Sequence, residues 1–383
     1  MVTKDTVQAA AEVAFKAANH WGLIAAATGV GKSKIGVNQT VEVVKANPTA
    51  LVVLAVPTQK LRDTNWLEEY QKWGKEEVYN SNVSRYCYAS INKLKDEVID
   101  LLILDEGHNI TELNAEVFQN NKVLKLLVLT ATPPDKFGND TDKAKIEIFK
   151  YLKIPTVFYY SLDEAVRDGL VAPYEIRVVE CTLDNTNKYI KAGTKDKPFY
   201  QTERQRYDYL TKIIRGMRFG GKGDAAKWKL LERMRLIYNL KSKTEIARRI
   251  IDKWLKVDER FLIFCGSIEQ SESLCGSSVF HSKTKDLALE AFKRSEINRL
   301  GVVESLNEGH NIPMVDGAVI VQLNSNKRDL VQRIGRTIRF RPGHTAIIWI
   351  FVVLDTVDED WFKKAIEAFD PSKISYTHYK NLL

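Results

Sequence analysis

The stretch GLIAAATGVGKSKIG, residues 22–36, opens as an apolar run and turns at Thr28 into a glycine-punctuated loop leading into a helical pattern. The run predicts a buried strand. Gly29 and Gly31 let backbone N–H groups turn inward at the start of a helix, where the helix dipole also favours anions. Lys32 is placed to reach β- and γ-phosphates, and the Ser33 hydroxyl to ligate Mg²⁺. Thr28, Gly29, Val30, Gly31, Lys32 and Ser33 are therefore the candidate nucleotide-binding residues, with ATP and Mg²⁺ the expected cofactors. The strict form of this loop begins with Gly, and Ala26 stands there instead.

Outward from this loop, short apolar runs alternate with helical patterns: ALVVLAV (50–56), SRYCYA (84–89), DLLILD (100–105) and LLVLT (126–130). A second series follows, at 174–181, 260–266, 278–282, 300–306, 317–323 and 345–354. Strands alternating with helices imply parallel sheets covered on both faces. The expected fold class is α/β, with two tandem domains at 1–165 and 166–383. SLDEAVRDGLVAPYE (161–175), broken by Gly169 and Pro173, supplies the boundary.

Composition excludes other classes. With 383 residues and 44% hydrophobic content the chain can bury a full core in each domain. Its longest apolar run, AIIWIFVVL at 346–354, falls short of the ~18 residues of a membrane-spanning helix. The four cysteines lie far apart with no CxxC pair, which fits a reducing compartment, and a cytoplasmic location is expected. The net charge of +8 is local: residues 188–249 hold 18 Lys+Arg against 6 Asp+Glu, and the remainder is slightly acidic. Interleaved with Tyr189, Phe199, Tyr200, Tyr207, Tyr209, Phe219 and Trp228, this basic, helix-forming insert suits a phosphate backbone with stackable bases, the alternative being a solvated helical pair with its aromatics in the core. RQRYDYLTKIIRGMRF and AAKWKLLERMRLIYNL are its candidate helices, with Gly220, Gly221 and Gly223 as the turn. Lys212, Arg215 and Arg218 are its candidate nucleic-acid contacts.

Asp105-Glu106-Gly107-His108 ends the run DLLILD, placing two carboxylates at the carboxyl edge of a strand, where open α/β sheets bind ligands. Asp105 is suited to hold Mg²⁺ and Glu106 to polarise an attacking water. A second strand end, Thr130-Ala131-Thr132-Pro133, follows. Near the C-terminus, QRIGRTIR (332–339) spaces Arg333, Arg336 and Arg339 three apart, a cationic stripe on a helix able to stabilise a transferring γ-phosphoryl group.

In order, AATGVGKS, Pro57-Thr58 with Leu61 and Trp66, DEGH, TAT, FLIFCGS (261–267), SLNEGHNIP (305–313) and QRIGRTIR resemble motifs I, Ia, II, III, IV, V and VI of superfamily 2 helicases and translocases. That resemblance implies two RecA-like domains with ATP bound in the cleft between them. It implies Gln8 as the adenine-reading glutamine, motif III as the coupler of hydrolysis to domain movement, and Gln332, Arg336 and Arg339 on the γ-phosphate. Gly309 would sense nucleotide and nucleic acid together, and Asn311 replaces the usual Asp beside it. Pro57, Thr58, Ser90, Ser267 and Ser282 would hold phosphates of the tracking strand.

DEGH with TAT is similar to the DExH branch. The QRxGRxxR form is similar to DNA recombination and repair helicases, including the phage branch-migration group, and to restriction-enzyme motor subunits. DNA is expected over RNA, with the protein acting as a monomer and protein partners supplying specificity. An ATP-gated clamp, a motor subunit of a larger complex and an RNA helicase are the alternatives. A P-loop small-molecule kinase would leave motifs II, III and VI unexplained.

Overall fold

The computed structural model describes the chain except residues 1, 135–139, 195, 220–222, 282–285, 304–311, 313–314, 324–326 and 338–342, with backbone alone at 140, 218–219, 223–225, 327–329 and 336. The chain divides into two compact units, one from Met1–Pro173 and one from Tyr174–Leu306, Ile312–Ile338 and Gly343–Leu383.

The first unit is built on six strands: β1 (Trp21–Ala26), β2 (Val52–Val56), β3 (Val83–Cys87), β4 (Leu101–Asp105), β5 (Leu126–Thr130) and β6 (Thr156–Tyr160). All pair in parallel, in the order β3-β2-β4-β5-β1-β6. Successive residues of β2 serve opposite cores: Val52, Leu54 and Val56 pack with Phe15, Ile35 and Trp66, whereas Val53 and Ala55 pack with Tyr88, Leu104 and Phe149. This period-2 alternation explains why the central strands are apolar throughout. β6 lies outside the expected set; its aromatic and β-branched residues TVFYY carry the signal, but the half-exposed pattern of an edge strand obscured it.

The second unit carries seven strands: β7 (Tyr174–Cys181), β8 (Phe261–Cys265), β9 (Val279–Phe280), β10 (Arg299–Val303), β11 (Gly317–Ile320), β12 (Ala346–Val353) and β13 (Ile374–His378). They too are all parallel, in the order β9-β10-β8-β11-β12-β7-β13. Two tandem RecA-like α/β units are thus the architecture.

The basic insert is only partly helical. Helices Glu203–Phe219 and Gly223–Tyr238 form the expected pair, with Gly223 starting a helix rather than lying in the turn. Ahead of them, Ile190–Gly193 and Pro198–Gln201 form an antiparallel ribbon. Gly193, at φ +91°, is required where the ribbon turns, because a Cβ there would stand 2.3 Å from the Lys197 carbonyl oxygen. The insert is anchored by Glu203. Its buried carboxylate accepts hydrogen bonds from the Asp184 N–H at 2.9 Å, the Ser242 N–H at 3.1 Å and the Tyr189 hydroxyl.

Two of the insert's residues serve the core rather than the surface. Tyr207 lies in the core with its hydroxyl accepting from the Val357 N–H, so it offers no face to a base. Lys243 contributes no surface charge: it is fully buried and bonds Asp358 at 2.7 Å. No helix among the described residues is long and apolar enough to cross a membrane. All four cysteines are free, and burial pushes the Cys181 thiol up to about 12.

Candidate active site

In a parallel sheet every strand delivers its carboxyl end to the same edge, and the candidate residues of the first unit gather there. β1 leads into the loop at 27–31, then the helix Lys32–Ala46, capped by Gly31 in the left-handed region at φ +95°, ψ +46°. Gly29 has φ +94°. Glycine takes these backbone values without strain, and a glycine-bearing loop opening a helix N-terminus is the kind of site that holds a phosphate chain. The Lys32 ammonium donates to the Ala26 carbonyl at 2.9 Å, holding the side chain back along the loop. Ser33 follows in the first helical turn.

Gln8, on the helix Lys4–Ala17, reaches this loop from the opposite side. Its amide nitrogen donates to the Val30 carbonyl at 2.8 Å, and a Cβ on Gly31 would stand 2.4 Å from it. Gln8 Oε1 is buried with no partner among the described residues, an acceptor left for a ligand's amino group.

β4 and β5 are neighbours, and Asp105 is in register with Leu129, one residue before Thr130. Burial, and after it the negative charge of Glu106, push the Asp105 carboxyl up to about 7, while Trp66 and Lys32 draw it down. One oxygen accepts from the Trp66 indole N–H at 2.9 Å and the other from the Glu106 N–H at 3.0 Å. Glu106 itself is left-handed at φ +48°, ψ +52°, a conformation that costs a non-glycine residue on the order of 1 kcal/mol and turns its side chain out of the strand line. Gly107 is needed beside it, because a Cβ there would meet Val128 at 2.1 Å.

The Glu106 carboxylate, the His108 ring and the Thr130 hydroxyl form one cluster: His108 Nδ1 is 2.9 Å from Thr130 Oγ1 and 3.4 Å from Glu106 Oε2. Thr130 Oγ1 also accepts from the Thr132 N–H at 3.1 Å. The two strand ends are therefore physically linked. Mg²⁺ fits the donor set of Ser33 and Asp105, both hard oxygens, and a cation would compensate the buried charge that raises Asp105. Among the described residues no cluster of three or more His, Cys, Asp or Glu offers an alternative metal site.

A model of the type III restriction enzyme res subunit matches residues 3–135, and one of the helicase conserved C-terminal domain matches residues 242–341. The chain belongs to the superfamily 2 helicases. Most of the helicase's basic insert lies between the two matched segments. Its sequence is 25% identical over 357 residues to the DNA 3'-5' translocase XPB2 of Sulfurisphaera tokodaii, an alignment covering 86% of this chain and 77% of the relative. Its fold is similar to that of a DNA-bound type ISP restriction-modification enzyme, LlaBIII (TM-score 0.60, 14% identity, 99% of this chain), of which it spans 31%. It is also similar to S. cerevisiae Dbp5 bound to RNA and ADP BeF3 (TM-score 0.59, 16% identity, 98% of this chain and 90% of the other). The helicase is a nucleic-acid-dependent ATPase of the helicase and translocase class.

The second unit of the helicase corrects one expectation. Arg333 does not face outward as a stripe would require: it is buried, donates to the Gln322 carbonyl at 2.7 Å and lies over the Phe264 ring at 5.2 Å. A three-residue spacing drifts round a helix, and here the first position turns inward against the sheet. Gln332 is buried beside it on the helix Lys327–Thr337. Ser282, Gly309, Asn311 and Arg339, and the side chains of Arg336 and Arg218, lie outside the described residues.

Of the expected nucleic-acid contacts, Pro57, Thr58 and Ser90 lie past the carboxyl ends of β2 and β3 in the first unit, all partly exposed. Ser267 caps the helix Ile268–Cys275 in the second, accepting from the Gln270 N–H. Lys212 and Arg215 are exposed on the insert. Phe199, Tyr200, Tyr209 and Trp228 are exposed there too, by 48–73%. Sequence reasoning placed Trp66 in motif Ia but had no signal for its bond to Asp105, 39 positions away.

Proposed function

We propose that this helicase uses ATP hydrolysis to move along DNA, in the service of repair or recombination. The reading is carried by the joining of motifs II and III through Glu106, His108 and Thr130 beside the phosphate loop. The similarity to a DNA translocase over most of the chain supports the choice of nucleic acid. In this scheme Gln8 reads the base, and Thr28, Gly29, Val30, Gly31 and Lys32 hold the phosphates. Ser33 and Asp105 would hold Mg²⁺, which supplies charge neutralisation on the β- and γ-phosphates.

Glu106 polarises the attacking water, with its carboxylate oriented by His108 and Thr130. Gln332, Arg336 and Arg339 stabilise the charge on the transferring group, and Gly309 and Asn311 report the nucleotide state. Pro57, Thr58, Ser90, Ser267 and Ser282 grip the backbone without reading sequence. The insert adds non-specific affinity. The motor works as a cytoplasmic monomer, and partner proteins direct it to its sites.

ATPase rates measured with single-stranded, duplex and forked DNA and with RNA test this reading, alongside single-turnover strand displacement. DNA stimulation that is lost in Lys32→Ala and Glu106→Gln is expected. Stimulation by RNA alone would overturn the substrate, normal activity in either variant would overturn the site, and ATP-dependent binding without movement would indicate a clamp.

A further inference from the structure

We propose that Trp66 is a positioning residue that sets the spacing between the two Mg²⁺-side groups, Ser33 and Asp105. The proposal rests on the Mg²⁺-holding role proposed for those two residues. The indole makes two contacts that no sequence motif requires. Its N–H donates to Asp105 Oδ2 at 2.9 Å, so that with the Glu106 N–H on Oδ1 the carboxylate is held at both oxygens. The far edge of the same ring is seated in a notch on the helix that begins with Lys32 and Ser33. That notch exists because position 36 is glycine: a Cβ there would stand 2.7 Å from Trp66 Cη2.

One rigid side chain, 2% exposed, therefore touches the phosphate-loop helix at one end and the motif II carboxylate at the other. Tyr70 braces it, ring centroid to centroid 6.2 Å. The Trp66 helix is preceded by a π-turn at Leu61–Asn65, a wide turn that resets the angle at which the following residues meet the sheet. Phenylalanine at 66 keeps an aromatic ring in the core but lacks the N–H for Asp105 Oδ2 and is too short to reach the notch at Gly36, so both contacts are lost.

Groups that orient a metal ligand typically change metal affinity by about 10–100-fold when removed. The test is the Mg²⁺ concentration that gives half-maximal binding of a non-hydrolysable ATP analogue, with binding in EDTA as reference. Trp66→Phe is expected to raise that concentration about tenfold or more while leaving the EDTA affinity within twofold. A Mg²⁺ dependence matching wild type would overturn the proposal. Asp105→Asn separates the two readings: if it keeps wild-type Mg²⁺ dependence, the assignment of Asp105 fails; if it loses that dependence and Trp66→Phe does not, the positioning role alone fails.

Should Trp66→Phe not fold, ¹⁵N-indole spectra of the wild type decide the matter. One of the seven indole signals must shift both on adding Mg²⁺ to the analogue-bound protein and in Asp105→Asn. No shift in either sample overturns the proposal.

Discussion

His108 Nδ1 stands 2.9 Å from the hydroxyl of Thr130, joining the end of β4 to the end of its neighbour β5 across 22 positions of sequence. The same hydroxyl lies 3.4 Å from Glu106, so the group proposed to polarise water shares its bonding with the strand end expected to move. Replacing Thr130 by valine preserves the strand and removes the link. Thr130→Val is expected to lower the nucleic-acid-stimulated ATPase rate by about tenfold or more. Unfolding in urea should show a loss of about 1–3 kcal/mol from buried groups left unpaired. An unchanged stimulated rate would mean the cluster is only structural.

The Gln8 side chain closes the phosphate loop from outside. Gln8→Ala removes the donor to the Val30 carbonyl and should weaken ATP binding by about 3–10-fold, a hydrogen bond's worth of about 1 kcal/mol. Gly31→Ala is expected to be far worse, because it forces a Cβ into the Gln8 amide and strains a φ of +95°. Equilibrium binding of a fluorescent nucleotide measures both, and equal effects of the two changes would contradict this account.

Lys243 and Asp358 form an ion pair with no exposed side-chain surface on either partner. Asp358 Oδ2 also accepts from the Val353 N–H, tying the pair to the end of β12. Removing one partner strands the other charge, so Lys243→Met should cost about 3–5 kcal/mol in urea unfolding. The double change Lys243→Met with Asp358→Asn is expected to recover most of that loss, since both charges then disappear while the Asn Oδ1 can still accept from the Val353 N–H.

Lys212 and Arg215 project into solvent from the helix Glu203–Phe219. Neutralising Lys212, Arg215 and Arg218 together should reduce DNA affinity. The slope of log K against log salt should flatten by about 2 to 3, at roughly 0.9 for each phosphate that is no longer neutralised. A salt slope that stays the same would remove the insert from the DNA-binding surface.

Much of this helicase was legible along the chain because its chemistry is written locally. A strand running into Gly29-Val30-Gly31-Lys32-Ser33 makes a phosphate cradle wherever it folds, since glycine backbone freedom and a helix N-terminus are short-range properties. Asp105 and Glu106 at the end of an apolar run reach the ligand-binding edge for a similar reason: in a parallel sheet every strand end arrives there. Edge strand β6 and the ribbon at 190–201 were harder to read, because half-exposed strands lack the continuous apolar signature of buried ones.

The sequence by itself determined the α/β class and the order of the motifs, and it named the residues proposed here for phosphate chemistry. Only the tertiary structure decided which side chains meet. Arg333 reads as one of three equivalent arginines and is packed over the Phe264 ring; Lys243 counts toward the basic surplus and is buried against Asp358, 115 positions away; Trp66 falls in one motif and bonds the carboxylate of another. Helix phase and strand order set these outcomes, and both depend on how distant elements pack. Residue type and local spacing predict what a group can do, whereas its partner depends on which face the fold turns inward.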